Sequence, residues 1–160
     1  MRVKQIGLLL IILCLSSNVL AQDKPQFITK VEQVFREKEP AWKVQRINVI
    51  NTNDPFQQSI TFHLGKNQAL VDISIWKREK DARDVFEGES IAFDNIMGKR
   101  KIKGSLPNLG DENYIWTNRG STAWPTIKFR KGKINVTVFA PSVAIAKRFA
   151  QHIFGQMTNI

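Results

Sequence analysis

Two clusters of basic side chains form the pattern in this sequence with the clearest chemical potential. They are Lys99, Arg100, Lys101 and Lys103, and then Arg130, Lys131 and Lys133, with Lys128 and Arg119 as potential neighbours. Cations spaced this closely bind polyanions through charge contacts that weaken as salt rises. If both clusters lie at one edge of a sheet, they form a basic patch. Basic residues on edge strands also prevent edge-to-edge aggregation, which is the alternative explanation.

Three of the four tryptophans could add aromatic contacts to such a patch: Trp76, Trp116 and Trp124. Indole rings have an apolar body and a polar N–H, which suits stacking and membrane interfaces. In a domain of this size, however, a tryptophan more often belongs to the core, because burial of its large ring is strongly favourable. We therefore expect a structural role for these residues before a binding role.

Few residues of the types needed for catalysis or metal binding are present. His63 and His152 are the only histidines, and they fall in different predicted elements. Cys14 is the only cysteine, and the sequence has neither a Gly-x-Ser-x-Gly elbow nor a phosphate-binding glycine loop. Adjacent carboxylates such as Asp111 and Glu112 point to opposite faces of a strand. The sequence predicts no catalytic residues, no metal and no cofactor; a small hydrolase built on a serine and a histidine is the less favoured alternative.

The second basic cluster lies at the turn of the clearest hairpin in the chain. Apolar and polar residues alternate over 127–130 and again over 134–138, as half-buried strands require. Gly132 lies between them and can adopt a positive φ without steric cost, which favours a tight turn. Upstream, Gly110-Asp111 predicts a turn that leads into a short strand over 114–116.

The remaining segments predict three helices and three further strands. Apolar residues recur at helical spacing in the segments 25–39, 80–98 and 142–157. Period-two alternation occurs in the segments 42–50, 60–64 and 69–76. Gly88 weakens the case for one continuous second helix, and the first strand has a predicted bulge near Arg46. Short turns between strands imply antiparallel pairing, so the predicted class is α+β: a mostly antiparallel sheet of six to seven strands flanked by three helices.

The first 21 residues have the layout of a secretory signal peptide. Arg2 and Lys4 precede an apolar run over 6–15, and residues 19–21 have the small or aliphatic side chains of a cleavage site. The run is shorter than a typical membrane span, although an uncleaved anchor helix is the alternative. The sequence thus predicts a single exported α+β domain over 22–160, periplasmic or secreted, with no transmembrane segment after signal cleavage.

The predicted exported part keeps a large excess of positive charge. Two of the 24 basic residues precede the cleavage site, whereas all 14 acidic residues follow it, which leaves an excess of eight. A balance of this sign favours encounter with anionic surfaces, but it also serves solubility alone.

Several local sequences together resemble a group of small exported bacterial domains. They are DISIWKREKDARDVFE, LPNLGDENYIW, IKFRKGKINVTV and the alanine-rich last helix. Their order is similar to that of PsbP-like domains and of the extracellular sensor domains of PknH-like kinases, in which an Ala-Arg-x-x-Phe helix is followed by a Gly-Asp turn and a glycine hairpin. The cysteine pairs of the sensor domains are missing here. The resemblance implies a free-standing exported domain and brings no catalytic residues with it.

The function expected from these patterns is that of an exported, non-enzymatic interaction or accessory module of the periplasm or cell envelope. The alternative is a binder of polyanions or anionic lipid surfaces through the basic patch. The expected partner is an envelope protein or an anionic surface, with no specific role in nucleic-acid binding. The sequence leaves the oligomeric state open.

Overall fold

The computed structural model describes residues 25–51, 53–97, 101–103, 106–117 and 124–157, and only the backbone of 96, 97 and 101–103. The predicted signal peptide over 1–21 lies outside these residues. The described part contains the following elements: α1 (Gln26–Lys38), β1 (Lys43–Asn51), β2 (Phe56–Leu64), β3 (Asn67–Ile75), α2 (Glu79–Met97), β4 (Lys101–Lys103), β5 (Glu112–Trp116), β6 (Thr126–Lys131), β7 (Ile134–Phe139) and α3 (Val143–Met157).

The seven strands of the described residues form one open sheet in the order β1-β2-β3-β7-β6-β5-β4. All neighbouring pairs are antiparallel. The predicted α+β class, with a mostly antiparallel sheet of six to seven strands and three helices, is therefore confirmed. The register of β1 shifts between Val44 and Arg46, where the sequence predicted a bulge, and shifts again between Val49 and Asn51.

One face of the sheet, which we call the apolar face, is covered by α1 and α3. Its strands contribute alternate aliphatic and aromatic side chains, among them Phe62, Val71 and Phe129, all of them fully buried. Phe35 of α1 packs between Phe62 and Phe149 of α3, with ring centroids 4.4 and 4.6 Å apart. Alternation in the sequence thus places residues of β2, β3, β6 and β7 in this core at every second position.

The opposite face, which we call the polar face, carries α2. Phe86 of α2 stacks on Tyr114 of β5 with ring centroids 5.3 Å apart. Asn135 of β7 donates to the Ala82 carbonyl at 2.8 Å, and Lys128 of β6 donates to the Phe86 carbonyl at 3.5 Å. The helix is therefore held to the sheet by polar bonds as well as by ring packing.

The helices α2 and α3 can be compared with the features predicted for them from the sequence. α2 runs without interruption through Gly88, so the predicted weakness there does not end it. Ser142 caps α3, because its Oγ accepts the N–H of Ile145 at 3.3 Å. No helix among the described residues is both long and apolar enough to cross a membrane.

Candidate functional site

Arg130, predicted as part of the basic patch, is buried among three carboxylates. Its exposed fraction is 3%. It donates to Glu112 Oε1 from Nε at 3.0 Å and from Nη2 at 2.8 Å, and its Nη1 lies 3.2 Å from Glu79 Oε1 and 3.4 Å from Asp111 Oδ2. A guanidinium enclosed in this way is neutralised within the protein. Arg130 therefore stabilises the hairpin and α2, and it does not offer a surface charge to a ligand.

The turn after Arg130 is fixed by Asp111. The N–H of Gly132 donates to Asp111 Oδ2 at 2.8 Å, and Lys131 Nζ donates to Oδ1 at 3.0 Å. Partial burial acts to raise the pKa of Asp111, but these hydrogen bonds and the charges of Lys131 and Arg130 lower it below its ordinary value. Lys131 and Lys133 remain exposed. They are the members of the second cluster that a ligand can reach.

The first basic cluster falls only partly within the described residues. Lys99, Arg100 and the neighbouring candidate Arg119 lie outside them. Lys101 and Lys103 belong to β4, the edge strand, where Lys103 is opposite Tyr114, which in turn is opposite Lys128 of β6. Strand spacing then separates the backbones of Lys103 and Lys131 by about 10 Å across the sheet and about 10 Å along it. A single basic patch at this corner of the sheet stays a prediction.

The three candidate tryptophans have different environments. Trp116 is 1% exposed, and its Nε1 donates to Asp94 Oδ1 of α2 at 3.0 Å. Trp76 is half-buried, and its indole nitrogen has no hydrogen-bond partner among the described residues. Trp124, just before β6, is exposed. Trp116 is thus part of the core, and Trp124 is the one of the three that presents its ring to solvent.

The two histidines lie on different elements, on opposite sides of the sheet. His63 is half-buried on β2. His152 of α3 reaches a carboxylate, since its Nε2 lies 3.1 Å from Glu39 Oε1 at the end of α1. That carboxylate is already ion-paired with Arg148, which donates from Nη2 at 3.2 Å and also from Nε. The group joins α1 to α3 and contains no hydroxyl nucleophile.

A cleft of about 280 Å³ opens on the polar face between α2 and the strands β2, β3 and β7. Its floor includes Asp72 and Ser74 of β3 and Asn135 and Thr137 of β7, which alternate with core residues, and its wall is one side of α2. The residues that line it are Ile50, Gln57, Gln58, Asp72, Ile73, Ser74, Glu89, Ala92, Phe93, Asn135, Thr137 and Phe139. We call this feature the α2 cleft.

Two carboxylates of the α2 cleft have different partners. Glu89 receives the ammonium of Lys128, which is fully buried and lies 4.9 Å from the centroid of the Phe86 ring. Asp72 accepts a hydrogen bond from the hydroxyl of Ser59. Burial raises the pKa of Asp72 above its ordinary value; the Ser59 bond opposes this change and the negative charge of Glu89 adds to it. Asp72 is thus a carboxylate without a cation partner among the described residues.

Sequence reasoning did not identify the α2 cleft, although part of its signal was visible. Asp72 and Ser74 alternate with the apolar residues of β3, and Asn135 and Thr137 do so in β7. Alternation marks these side chains as facing away from the core. That β3 and β7 are neighbours, with Asp72 opposite Thr137 and Ser74 opposite Asn135, depends on a pairing that no local pattern specifies.

The outer strand β1 forms a second accessible surface. All its residues but the last, Asn51, are exposed, and β2 is the one described strand that pairs with it. Ile47, Val49 and Ile50 are 42, 48 and 59% exposed. The strand also carries Lys43 and Arg46 and has no acidic residue between Lys43 and Asn51. It is a long edge strand that is apolar and positively charged.

Within the described residues, no three histidine, cysteine, aspartate or glutamate side chains gather as a metal site. No protein-family model matches the chain, and no curated protein matches it. The proposed resemblance to PsbP-like and PknH-like domains therefore stays a prediction. One solved structure is similar in fold: a GTP binding regulator from Thermotoga maritima, 9% identical, with a TM-score of 0.52, covering 83% of this chain and 88% of that one.

Proposed function

We propose that this protein is an exported, non-enzymatic binding domain that acts as an interaction or accessory module of the periplasm or cell envelope. Export is supported by the charged, apolar and small-residue pattern of residues 1–21. A binding role is supported above all by one observation, the exposed edge strand β1.

An edge strand presents unpaired backbone N–H and C=O groups, which an extended segment of another protein can pair with by adding a strand. Native edges are usually short, charged, bulged, twisted away or covered. β1 has two cations and two register shifts, but it is long and exposed. β1 has nine residues, and the side chains of Ile47 and Val49 are exposed. These side chains would give such a pairing its specificity. Because Lys43 and Arg46 are its only charged residues, the matching partner segment is extended and acidic.

The proposal is tested by site-specific photo-crosslinking in envelope extract. A photoreactive residue replaces Ile47 in one sample and Ile91, an exposed isoleucine of α2, in the control. We expect a discrete adduct from position 47, which is absent from position 91, and mass spectrometry should locate the crosslink in an acidic extended segment. Equal adduct patterns at both positions would contradict the proposal.

A pair of charge reversals distinguishes binding at β1 from binding at the hairpin tip. Arg46→Glu reverses a charge on β1, and Lys133→Glu makes the same change on the exposed turn between β6 and β7. If β1 is the binding surface, Arg46→Glu weakens the crosslink at position 47 and Lys133→Glu leaves it unchanged. The reverse result would assign the interaction to the hairpin.

A second candidate function is binding of polyanions or anionic lipid surfaces. The observation that favours it is the exposure of Lys131 and Lys133 at a corner of the sheet that also holds Lys101 and Lys103. The buried position of Arg130 reduces the available charge. The similar solved protein is described as a GTP binding regulator, but a likeness at 9% identity concerns the fold, and neither candidate depends on nucleotide binding.

A further inference from the structure

We propose that the α2 cleft binds a small organic cation, an ammonium or guanidinium compound with an apolar body, through the Asp72 carboxylate and the Asn135 carboxamide oxygen. Of β1 the site includes only Ile50, and it includes neither Ile47 nor the hairpin tip; its ligand is a small molecule. The proposal therefore goes beyond the function proposed above.

The first argument is that the unpaired polar atoms of the cleft are hydrogen-bond acceptors. Asn135 is 5% exposed; its amide nitrogen donates to Ala82 of α2, and its oxygen has no partner among the described residues. Asp72 receives one hydroxyl, that of Ser59, on Oδ1, which leaves Oδ2 without a partner there. A buried acceptor without a donor is unfavourable, so a donor that reaches the Asn135 oxygen is favoured there.

The second argument concerns charge. Lys128 donates to Glu89, which lines the cleft, and to the Phe86 carbonyl. Its charge is therefore paired with Glu89, and no described cation forms an ion pair with Asp72. A ligand with a positive charge supplies that partner.

The third argument concerns the walls. Phe93 and Ala92 of α2 and Phe139 of β7 add apolar groups to the lining of the cleft, and the ring centroids of Phe93 and Phe139 are 6.1 Å apart. An alkyl or aryl group packs on such a surface, and an ammonium near an aromatic ring gains a cation–π interaction. A volume of about 280 Å³ is at the lower end of ligand sites, which are roughly 300–1,000 Å³, so the ligand is small.

The test is a titration of the purified protein with matched probes near pH 7.5, followed by amide chemical shifts and calorimetry. The cationic probes are n-butylammonium, n-butylguanidinium and phenethylammonium, and their partners are butan-1-ol as the neutral analogue and butyrate as the anionic one. We expect the cations to bind at least about tenfold more tightly than butan-1-ol. The shifts should be centred on residues 72–74 and 135–137.

Three variants locate the binding. Asp72→Asn keeps the shape of the side chain and removes its charge, and we expect it to reduce cation affinity about tenfold or more. Ala92→Trp fills the cleft from an exposed position of α2 without changing any charge, and it should abolish binding. Asp84→Asn removes one charge elsewhere on α2 and should have no effect.

Three outcomes would overturn the proposal. One is equal binding of cations and butan-1-ol, which would mark the cleft as a merely apolar or water-filled depression. The second is unchanged cation binding in both Asp72→Asn and Ala92→Trp. The third is no saturation by any cation up to about 10 mM. Because no variant in this titration changes Arg46 or Ile47, and neither residue lines the cleft, its result is independent of the crosslinking at position 47.

Discussion

At the scale of single residues, the basic side chains of this protein divide into two kinds. Lys128 and Arg130 occupy alternate positions of β6 and are both buried against α2, where carboxylates neutralise them. Lys131 and Lys133 follow directly in the sequence and are exposed. The alternation in the sequence identified the face of the sheet for Arg130, but it could not show that a helix covers that face. This is why a buried ion pair was predicted as part of a surface patch.

The two kinds of cation predict different costs of removal. Arg130→Ala should lower the free energy of unfolding by about 2–3 kcal/mol, less than a fully buried pair because its carboxylates remain partly solvated. Lys131→Ala removes one exposed ion pair and should cost at most about 1 kcal/mol. Urea unfolding of both variants measures the difference. Equal costs would contradict the assignment of Arg130 as a structural cation.

Asp72 predicts a pH dependence of stability. Burial raises its pKa in the folded protein above the ordinary value of 3.8, so the folded state retains a proton that the unfolded chain releases. The contribution of Asp72 to the free energy of unfolding therefore falls as pH rises from about 3.8 through the raised pKa, and the penalty is complete above it. Asp72→Asn should be more stable than the parent protein at pH 7 and lose that advantage near pH 4.

The measurement for Asp72 is urea unfolding of the two proteins across that pH range. Asp84→Asn, which removes a half-exposed carboxylate of α2, is the control. If the difference in free energy of unfolding between Asp72→Asn and the parent protein does not change with pH, ionisation of the Asp72 carboxylate is not the cause of that difference.

At the scale of elements, glycines illustrate how far local sequence determines structure. Gly110 has a φ of +74°, and a Cβ at this position would clash with the Arg130 carbonyl. Gly88 lies within α2 with open space around it. The Gly-Asp turn was predictable because it needs only local chemistry, whereas the close approach of Gly110 to β6 depends on a pairing distant in sequence.

Substitution of these two glycines should therefore have opposite effects. Gly110→Ala should lower the free energy of unfolding by about 2–4 kcal/mol, because it combines an unfavourable φ with a backbone clash. Gly88→Ala should raise it by about 0.5–1 kcal/mol through helix propensity. Thermal unfolding of both variants gives the comparison. Stabilisation by Gly110→Ala would contradict the proposed turn geometry.

At the scale of the whole molecule, local periodicity predicted the order of helices and strands and the fold class, since each depends on neighbouring residues. It did not predict that β3 and β7 pair at the centre of the sheet. That pairing brings together the strand residues that line the α2 cleft, and it places β1 and the basic corner at β4–β6 on opposite sides of the sheet. The basic patch could therefore be predicted from the charges in the sequence, whereas the α2 cleft could not, because it depends on the order of the strands in the sheet.

The sheet also provides a test of whether its basic corner binds anions. The turns Gly65-Lys66 and Gly132-Lys133 are closely matched, with glycine φ values of +59° and +54°, and they lie at opposite ends of the strands β3 and β7. If anion binding is specific to the basic corner, Lys133→Glu should weaken association with anionic liposomes or heparin several-fold at low salt, and Lys66→Glu should not. Equal losses in the two variants would mean that net charge alone drives the association. A loss confined to Lys133→Glu that fades as salt rises would instead give the exposed lysines of this corner a binding role that edge protection does not explain.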